Sequence, residues 1–186
     1  MRVAIVYESM FGSTRKVAEA IAEGVRRAEP FADLTLSRVT DLAADDLTDV
    51  DLLIVGAPTH LRGLSRPASR RHALEGMVKT PEIAGVRAVA EPGADGPGVR
   101  EWLEQLPQAT GGRMAAAFDT RASGPFAGRA SRRIAHRLTQ LGYLVIAPPQ
   151  EFELSGNYGP PSGDELSRAR TWGSDLVANR ARHHLV

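Results

Sequence analysis

One stretch constrains the fold more than any other: Val3-Ala-Ile-Val-Tyr7, the short run Glu8-Ser9-Met10-Phe11-Gly12-Ser13-Thr14, then Arg15 to Val25. The unbroken apolar opening reads as a strand covered on both faces, which is the habit of parallel sheets. The period then changes. Val17, Ala20, Ile21, Gly24, Val25 and Ala28 recur on one face of a helix, while Arg15, Lys16, Glu19, Glu23, Arg26 and Arg27 fill the other. Between strand and helix, the hydroxyls of Ser9, Ser13 and Thr14 gather with the permissive backbone of Gly12. A helix start has unpaired N–H groups and a positive dipole end, so this loop is suited to holding a phosphate.

The rest of the chain repeats the strand and helix alternation. Leu34 to Val39 alternates as a half-exposed edge strand, and Asp51-Leu-Leu-Ile-Val-Gly56 is a second fully apolar strand. Ala57-Pro-Thr-His-Leu-Arg-Gly63 follows it, where ligands bind in wound parallel sheets, beyond the carboxyl ends of the strands. A basic helix is expected over 66–79 and a short one carrying Trp102 over 99–106, with the region from 80 to 112 otherwise peripheral and rich in Pro and Gly. Met114 to Phe118 is the next strand, and Asp119-Thr-Arg121 opens a third loop at the same edge. Ala127, Ala130, Ile134, Leu138 and Leu141 then stripe a helix whose opposite face carries Arg129, Arg132, Arg133, His136 and Arg137. The last strand falls in two pieces around Pro148-Pro149, because proline cannot pair inside a sheet. A closing helix over 164–182 points Leu166, Ala169, Trp172 and Leu176 inward, and the chain ends in a frayed Arg-His-His-Leu-Val.

Composition removes whole classes of chemistry. With no cysteine in 186 residues, disulfides, iron–sulfur clusters, thiolate zinc sites and thiol catalysis are absent. A net charge of +1 gives no global case for nucleic acid, and no aromatic residues interleave with the arginines as a single-strand binder requires. No apolar run approaches membrane-spanning length, so the expectation is a protein without membrane partners, in the cytoplasm. The length favours one domain over 1–186. The first loop has neither the Gly-Lys-Ser/Thr of a Walker loop nor G-x-G-x-x-G spacing. Ser9, His60 and Asp119 match a hydrolase triad in residue type only, and His183-His184 lacks further ligands at metal spacing, so no metal and no catalytic residue is assigned.

Ile5-Val-Tyr7, Ser9, Gly12, Thr14, Ala18 and Ile21 resemble the phosphate-loop signature of flavodoxins, and Gly56-Ala-Pro-Thr-His60 resembles the second flavin loop of that family and of its quinone-reductase relatives. The resemblance implies an α/β three-layer sandwich with a five-stranded parallel sheet in the order 2-1-3-4-5, and FMN at the switch point. It places the phosphate among Ser9, Met10, Phe11, Gly12, Ser13 and Thr14. It lays Pro58, Thr59, His60 and Leu61 along one side of the ring, and Asp119, Thr120 and Arg121 near its edge or ribityl chain. A capping role for the Asp119 carboxylate is the equal alternative.

The chain departs from flavodoxins in two respects. The aromatic sandwich is reduced to His60 and Phe126, and the near-neutral charge with an arginine-rich helix face differs from the usual acidity of the family, favouring an acidic partner or a phosphorylated substrate. Three readings follow. The first is an FMN-dependent electron carrier serving a redox partner protein. The second is an NAD(P)H-dependent quinone or flavin reductase with an open ring face, Arg62 or the arginine face taking the nicotinamide cofactor's phosphates. The third is an interaction protein that has lost the flavin. Donor, acceptor and oligomeric state are not encoded in any motif.

Overall fold

The computed structural model describes residues 1–47, 49–60, 63–79, 89–122, 124, 129–156 and 158–183. In chain order the elements are β1 (Arg2–Tyr7), α1 (Ser13–Ala28), β2 (Asp33–Arg38), a short 3-10 turn (Ala44–Leu47), β3 (Leu52–Pro58), α2 (Pro67–Lys79), α3 (Val99–Gln105), β4 (Met114–Ala122), α4 (Ala130–Gln140), β5 (Leu144–Val145), β6 (Gln150–Leu154) and α5 (Gly163–His183). Every strand pair is parallel, in the order β2-β1-β3-β4-β5, and β6 also pairs with β4. The expected order is therefore present, with the fifth strand split. Leu144 lies opposite Met114 and Gln150 opposite Phe118, so two more residues are spent on the last strand than on β4 between those points. Pro148 and Pro149 fall in that gap, where they need not donate to the ladder.

Alternate residues of the central strands feed two cores. Ala4, Val6, Leu53, Val55, Ala115 and Ala117 face α3 and α4, where Trp102, Leu103, Ile134 and Leu138 are buried. Val3, Ile5, Leu52, Ile54, Ala116 and Phe118 face α1 and α5, against Val17, Ile21, Ala169, Trp172 and Leu176. On that side Phe118, Phe152 and Trp172 form a three-way edge-to-face cluster with centroids 6.2–6.3 Å apart. Helices α1 and α5 meet at backbone distance. A Cβ on Gly24 would lie 2.0 Å from the Arg170 carbonyl oxygen, and one on Gly173 would lie 2.3 Å from that of Ile21. Ser174 Oγ donates to the Gly24 carbonyl at 2.9 Å across the same contact.

Two expectations are corrected. Asp119 to Arg121 do not open a loop: β4 runs on to Ala122, pairing Asp119 with Ala57 and Thr120 with Pro58. Nor is the region before β4 peripheral, since α3 buries Val99, Trp102 and Leu103 in the first core. The α4 stripe is as expected from Ala130 onward, with Ala127 outside the described residues.

Candidate anion cradle at the sheet edge

The site begins with the end of β1. Glu8 N–H donates to the Gly56 carbonyl and Val39 N–H to the Tyr7 carbonyl, which hold the chain between its two neighbours as it leaves the sheet. Gly12 adopts φ +86, a left-handed conformation that side chains disfavour, and its N–H turns back to Ser9 Oγ at 3.1 Å. The helix then starts at Ser13 with no side-chain cap. Among the described residues, the backbone N–H groups of Met10, Phe11, Ser13, Thr14 and Arg15 have no acceptor. Met10, Ser13 and Thr14 are nevertheless buried. Buried donors without a partner are costly, and here they are gathered at the positive end of a sixteen-residue helix. The donor set therefore fits a phosphate.

The three hydroxyls of the loop are not equally available to a ligand. Ser13 Oγ donates to the Gly159 carbonyl at 2.9 Å, which commits its only proton. Among the described residues Ser9 Oγ only accepts, which leaves its proton uncommitted there. Thr14 Oγ1 and Thr120 Oγ1 are 2.8 Å apart and buried. One of them donates to the other, and the acceptor keeps its own proton for a third group. This pair joins the first helix to β4, and Thr59 N–H extends the junction by donating to the Thr120 carbonyl at 2.8 Å.

The remaining expected residues lie close by and are differently engaged. Asp119 is fully buried and accepts from Ser131 N–H at 2.8 Å, a cap on the first turn of α4. Burial pushes its carboxyl above the ordinary value, against the pull of the Ser131 hydrogen bond. Among the described residues its Oδ1 has no partner within hydrogen-bond geometry. Thr59 Oγ1 accepts from Ala130 N–H at 3.1 Å and so caps the same helix. Arg121 turns to Glu151 and Glu153, at 3.1 and 3.4 Å. Pro58 ends β3 half-buried, and His60 exchanges two backbone hydrogen bonds of 2.8 Å with Gly63. Burial lowers the His60 pKa, so its ring is neutral near pH 7. Leu61, Arg62 and Phe126 lie outside the described residues.

Several groups at the site carried no signal that sequence reasoning used. Glu91 N–H donates to the Met10 carbonyl, and its carboxylate takes Arg15 Nε at 2.6 Å and Arg38 Nη2 at 3.0 Å. A Cβ on Gly12 would sit 3.6 Å from Glu91 Oε1, so this carboxylate stands beside the cradle with two guanidinium groups offsetting it. On the other flank the Phe11 and Tyr158 rings meet edge to face, 5.1 Å between centroids. Beneath the loop, Glu8 is buried and accepts from Val99 N–H at 2.9 Å, beside the Arg70–Ser65 and Arg70–Glu101 contacts at 2.8 and 3.2 Å. Burial raises the Glu8 pKa. These contacts tie the amino end of α3 to the end of β1.

A doubly wound parallel sheet with unpaired donors at the turn from β1 into the first helix places the chain in the open α/β class, whose ligands bind beyond the carboxyl ends of the strands at the switch point. The family model described as Flavodoxin matches residues 5–172, and the chain belongs to the flavodoxin family. A curated flavodoxin from Aquifex aeolicus (strain VF5) is 35% identical over 60 residues, which are 32% of this chain and 32% of that protein's length. Among solved structures, oxidised Flavodoxin 1 from Bacillus cereus superposes with a TM-score of 0.64 at 19% identity, covering 98% of this chain and 99% of the other. A flavodoxin from the domain Archaea gives 0.63 at 20% identity, covering 97% and 99%. At these identities the superpositions establish the fold. No helix among the described residues is long and apolar enough to cross a membrane.

Proposed function

We propose that this flavodoxin-family protein binds FMN and carries electrons between redox partner proteins. The observation that supports it is the set of main-chain donors at the start of α1, those of Met10, Phe11, Ser13, Thr14 and Arg15, that have no acceptor among the described residues. FMN belongs to the family's chemistry, and its phosphate supplies the acceptors these donors lack. In this reading the N–H groups of Met10, Phe11, Ser13, Thr14 and Arg15 hold the phosphate, with Ser9 O–H and the spare proton of the Thr14–Thr120 pair. Gly12 permits the turn, and the Ser13 hydroxyl braces the loop against Gly159. Pro58, Thr59, His60 and Leu61 would flank the ring on one side, with Asp119, Thr120 and Arg121 nearby on β4.

When bound, FMN supplies a ring that takes up and releases electrons, chemistry that belongs to the cofactor. The protein's own residues do the rest. The helix dipole and the amides neutralise the phosphoester, and Arg15 and Arg38 keep Glu91 from opposing it. A neutral His60 adds no charge beside the ring. The reductase reading is not favoured, because the relatives matched are flavodoxins. The test is a titration of flavin-stripped protein with FMN, followed by the visible spectrum and fluorescence quenching. Saturable uptake with one FMN per chain is expected; riboflavin, which lacks the phosphate, should bind far more weakly. Absence of uptake, or equal affinity for the two, would remove the proposal.

A further inference from the structure

A second concave region lies away from the cradle, between α3, α4 and the segment after β3. Two cavities of about 400 and 260 Å³ meet there, sharing Leu64, Arg100 and Arg133 in their walls. Neither is lined by any residue from Ser9 to Thr14. The larger has an apolar floor in Leu64 and Leu103 under a rim of Arg100, Arg132, Arg133 and Arg137. Arg66 joins from the smaller cavity. Five guanidinium groups thus face one carboxylate, Glu104, in a chain whose net charge is only +1.

None of the five makes an ion pair among the described residues; Arg26, Arg27, Arg71 and Arg113 make none either, but none of those four lines either cavity. The unpaired groups are also held in place. Arg100 donates from Nε to the Ser65 carbonyl at 2.9 Å and from Nη2 to the Leu64 carbonyl at 3.0 Å, and among the described residues its Nη1 has no partner. Arg133 lies across Gly63, where a Cβ would come within 2.8 Å of its Nε, so the missing side chain there makes room for it. Like charges held together repel, and a bound anion would relieve that repulsion. Guanidinium forks match phosphate and carboxylate geometry bidentately, and an apolar floor adds affinity for an organic body.

We propose that this cleft binds a small organic phosphate, with the phosphate groups on Arg100, Arg133 and Arg137 and the apolar part of the ligand on Leu64 and Leu103. The concavity favours a small molecule over an acidic protein face, which would call for a flatter surface. The smaller cavity shares His60 with the residues proposed to flank the flavin ring, but none of the five arginines is among the residues proposed to hold FMN.

The test uses isothermal titration of the full chain at low salt with ADP, inorganic pyrophosphate and citrate as probes. ADP should bind most tightly, pyrophosphate more weakly for want of an apolar body, and citrate least. The surface variant R133Q/R137Q, whose side chains make no hydrogen bond or ion pair among the described residues, should weaken ADP by at least about tenfold. R100Q should do the same, and R27Q, on the exposed face of α1, should leave ADP binding within about twofold. FMN uptake should be unchanged in R133Q/R137Q. Lack of binding by all three probes, or equal losses in R27Q and R133Q/R137Q, would overturn the proposal. So would loss of ADP binding on changing Thr14 with none on changing Arg133 and Arg137, since ADP would then occupy the α1 cradle. Binding of poly-glutamate in place of every small probe would assign the face to an acidic protein and overturn it equally.

Discussion

Replacing Thr14 or Thr120 by Val keeps the shape of the side chain and deletes one hydroxyl of the buried pair between α1 and β4. The two oxygens are 2.8 Å apart, and the residues are 2% and 1% exposed, so neither can turn to solvent when its partner is lost. A buried hydroxyl left without its hydrogen bond costs about 1–3 kcal/mol, and each single variant should lose stability of that order. The double variant T14V/T120V removes both polar groups together and leaves nothing unsatisfied, so its loss should be much less than the sum. The coupling in the double-mutant cycle, the sum of the two single losses less the loss of the double variant, is then at least about 1–3 kcal/mol. Urea denaturation of the flavin-free chain measures it. The cradle supplies a separate readout, because the double variant also lacks the spare hydroxyl proton. A hydrogen bond to a charged acceptor contributes about 1.5–3 kcal/mol, so the FMN dissociation constant should rise roughly tenfold to a hundredfold. Additive losses across the cycle would refute the buried pairing, and unchanged FMN affinity in the double variant would refute the donor role.

Gly24→Ala should destabilise although alanine is the better helix former. Its Cβ would meet a backbone carbonyl at 2.0 Å, which cannot swing away, and an overpacking cost of about 1–3 kcal/mol or more exceeds the roughly 1 kcal/mol of propensity gained. Thermal melting against Gly163→Ala, whose Cβ meets nothing within 4 Å, checks this; equal melting points would contradict the close approach. Glu8 has a folded-state pKa above its ordinary 4.5, so between those values the native chain holds a proton that the unfolded chain has released. Stability should therefore fall as pH rises through that window, and E8Q, still able to accept from Val99 N–H, should lose that share of the slope in denaturation at stepped pH; an identical slope would count against it. Partial burial depresses the His60 pKa, so an NMR titration should place its midpoint below the ordinary 6.5, and a midpoint at or above that value would refute the desolvation of the ring.

The sheet was readable from the sequence where burial is two-sided. β1 and β3 are apolar without interruption, and the switch from strand to helical period at Thr14 marks the cradle, because no other structure satisfies both patterns at once. β4 was legible only to Phe118. Asp119, Thr120 and Arg121 are polar, and polar residues after an apolar run resemble a loop; here they continue the strand because Ser131, Thr14 and the β6 glutamates receive them. α3 escaped weight for a related reason: seven residues are too few for periodicity to separate a core helix from a surface one. The cradle's neighbours were harder still. Nothing local to Glu91 announces Arg15 and Arg38, which lie 76 and 53 residues away in the chain. The hydroxyls were visible as residue types, but the commitment of the Ser13 proton to Gly159 depends on a turn from the far end of the chain.

The glycine contact between α1 and α5 bears on more than packing. Two helices touching through bare backbone have no compliant side chains to absorb a slide or a roll, so α1 is indexed along its length by α5. Eleven residues of helix separate Ser13 from Gly24, about 16 Å at the usual rise per residue. The placement of the amides is thus gauged from the opposite end of their own helix, and trimming the closing helix should shift them although the cut lies at the far end of α1.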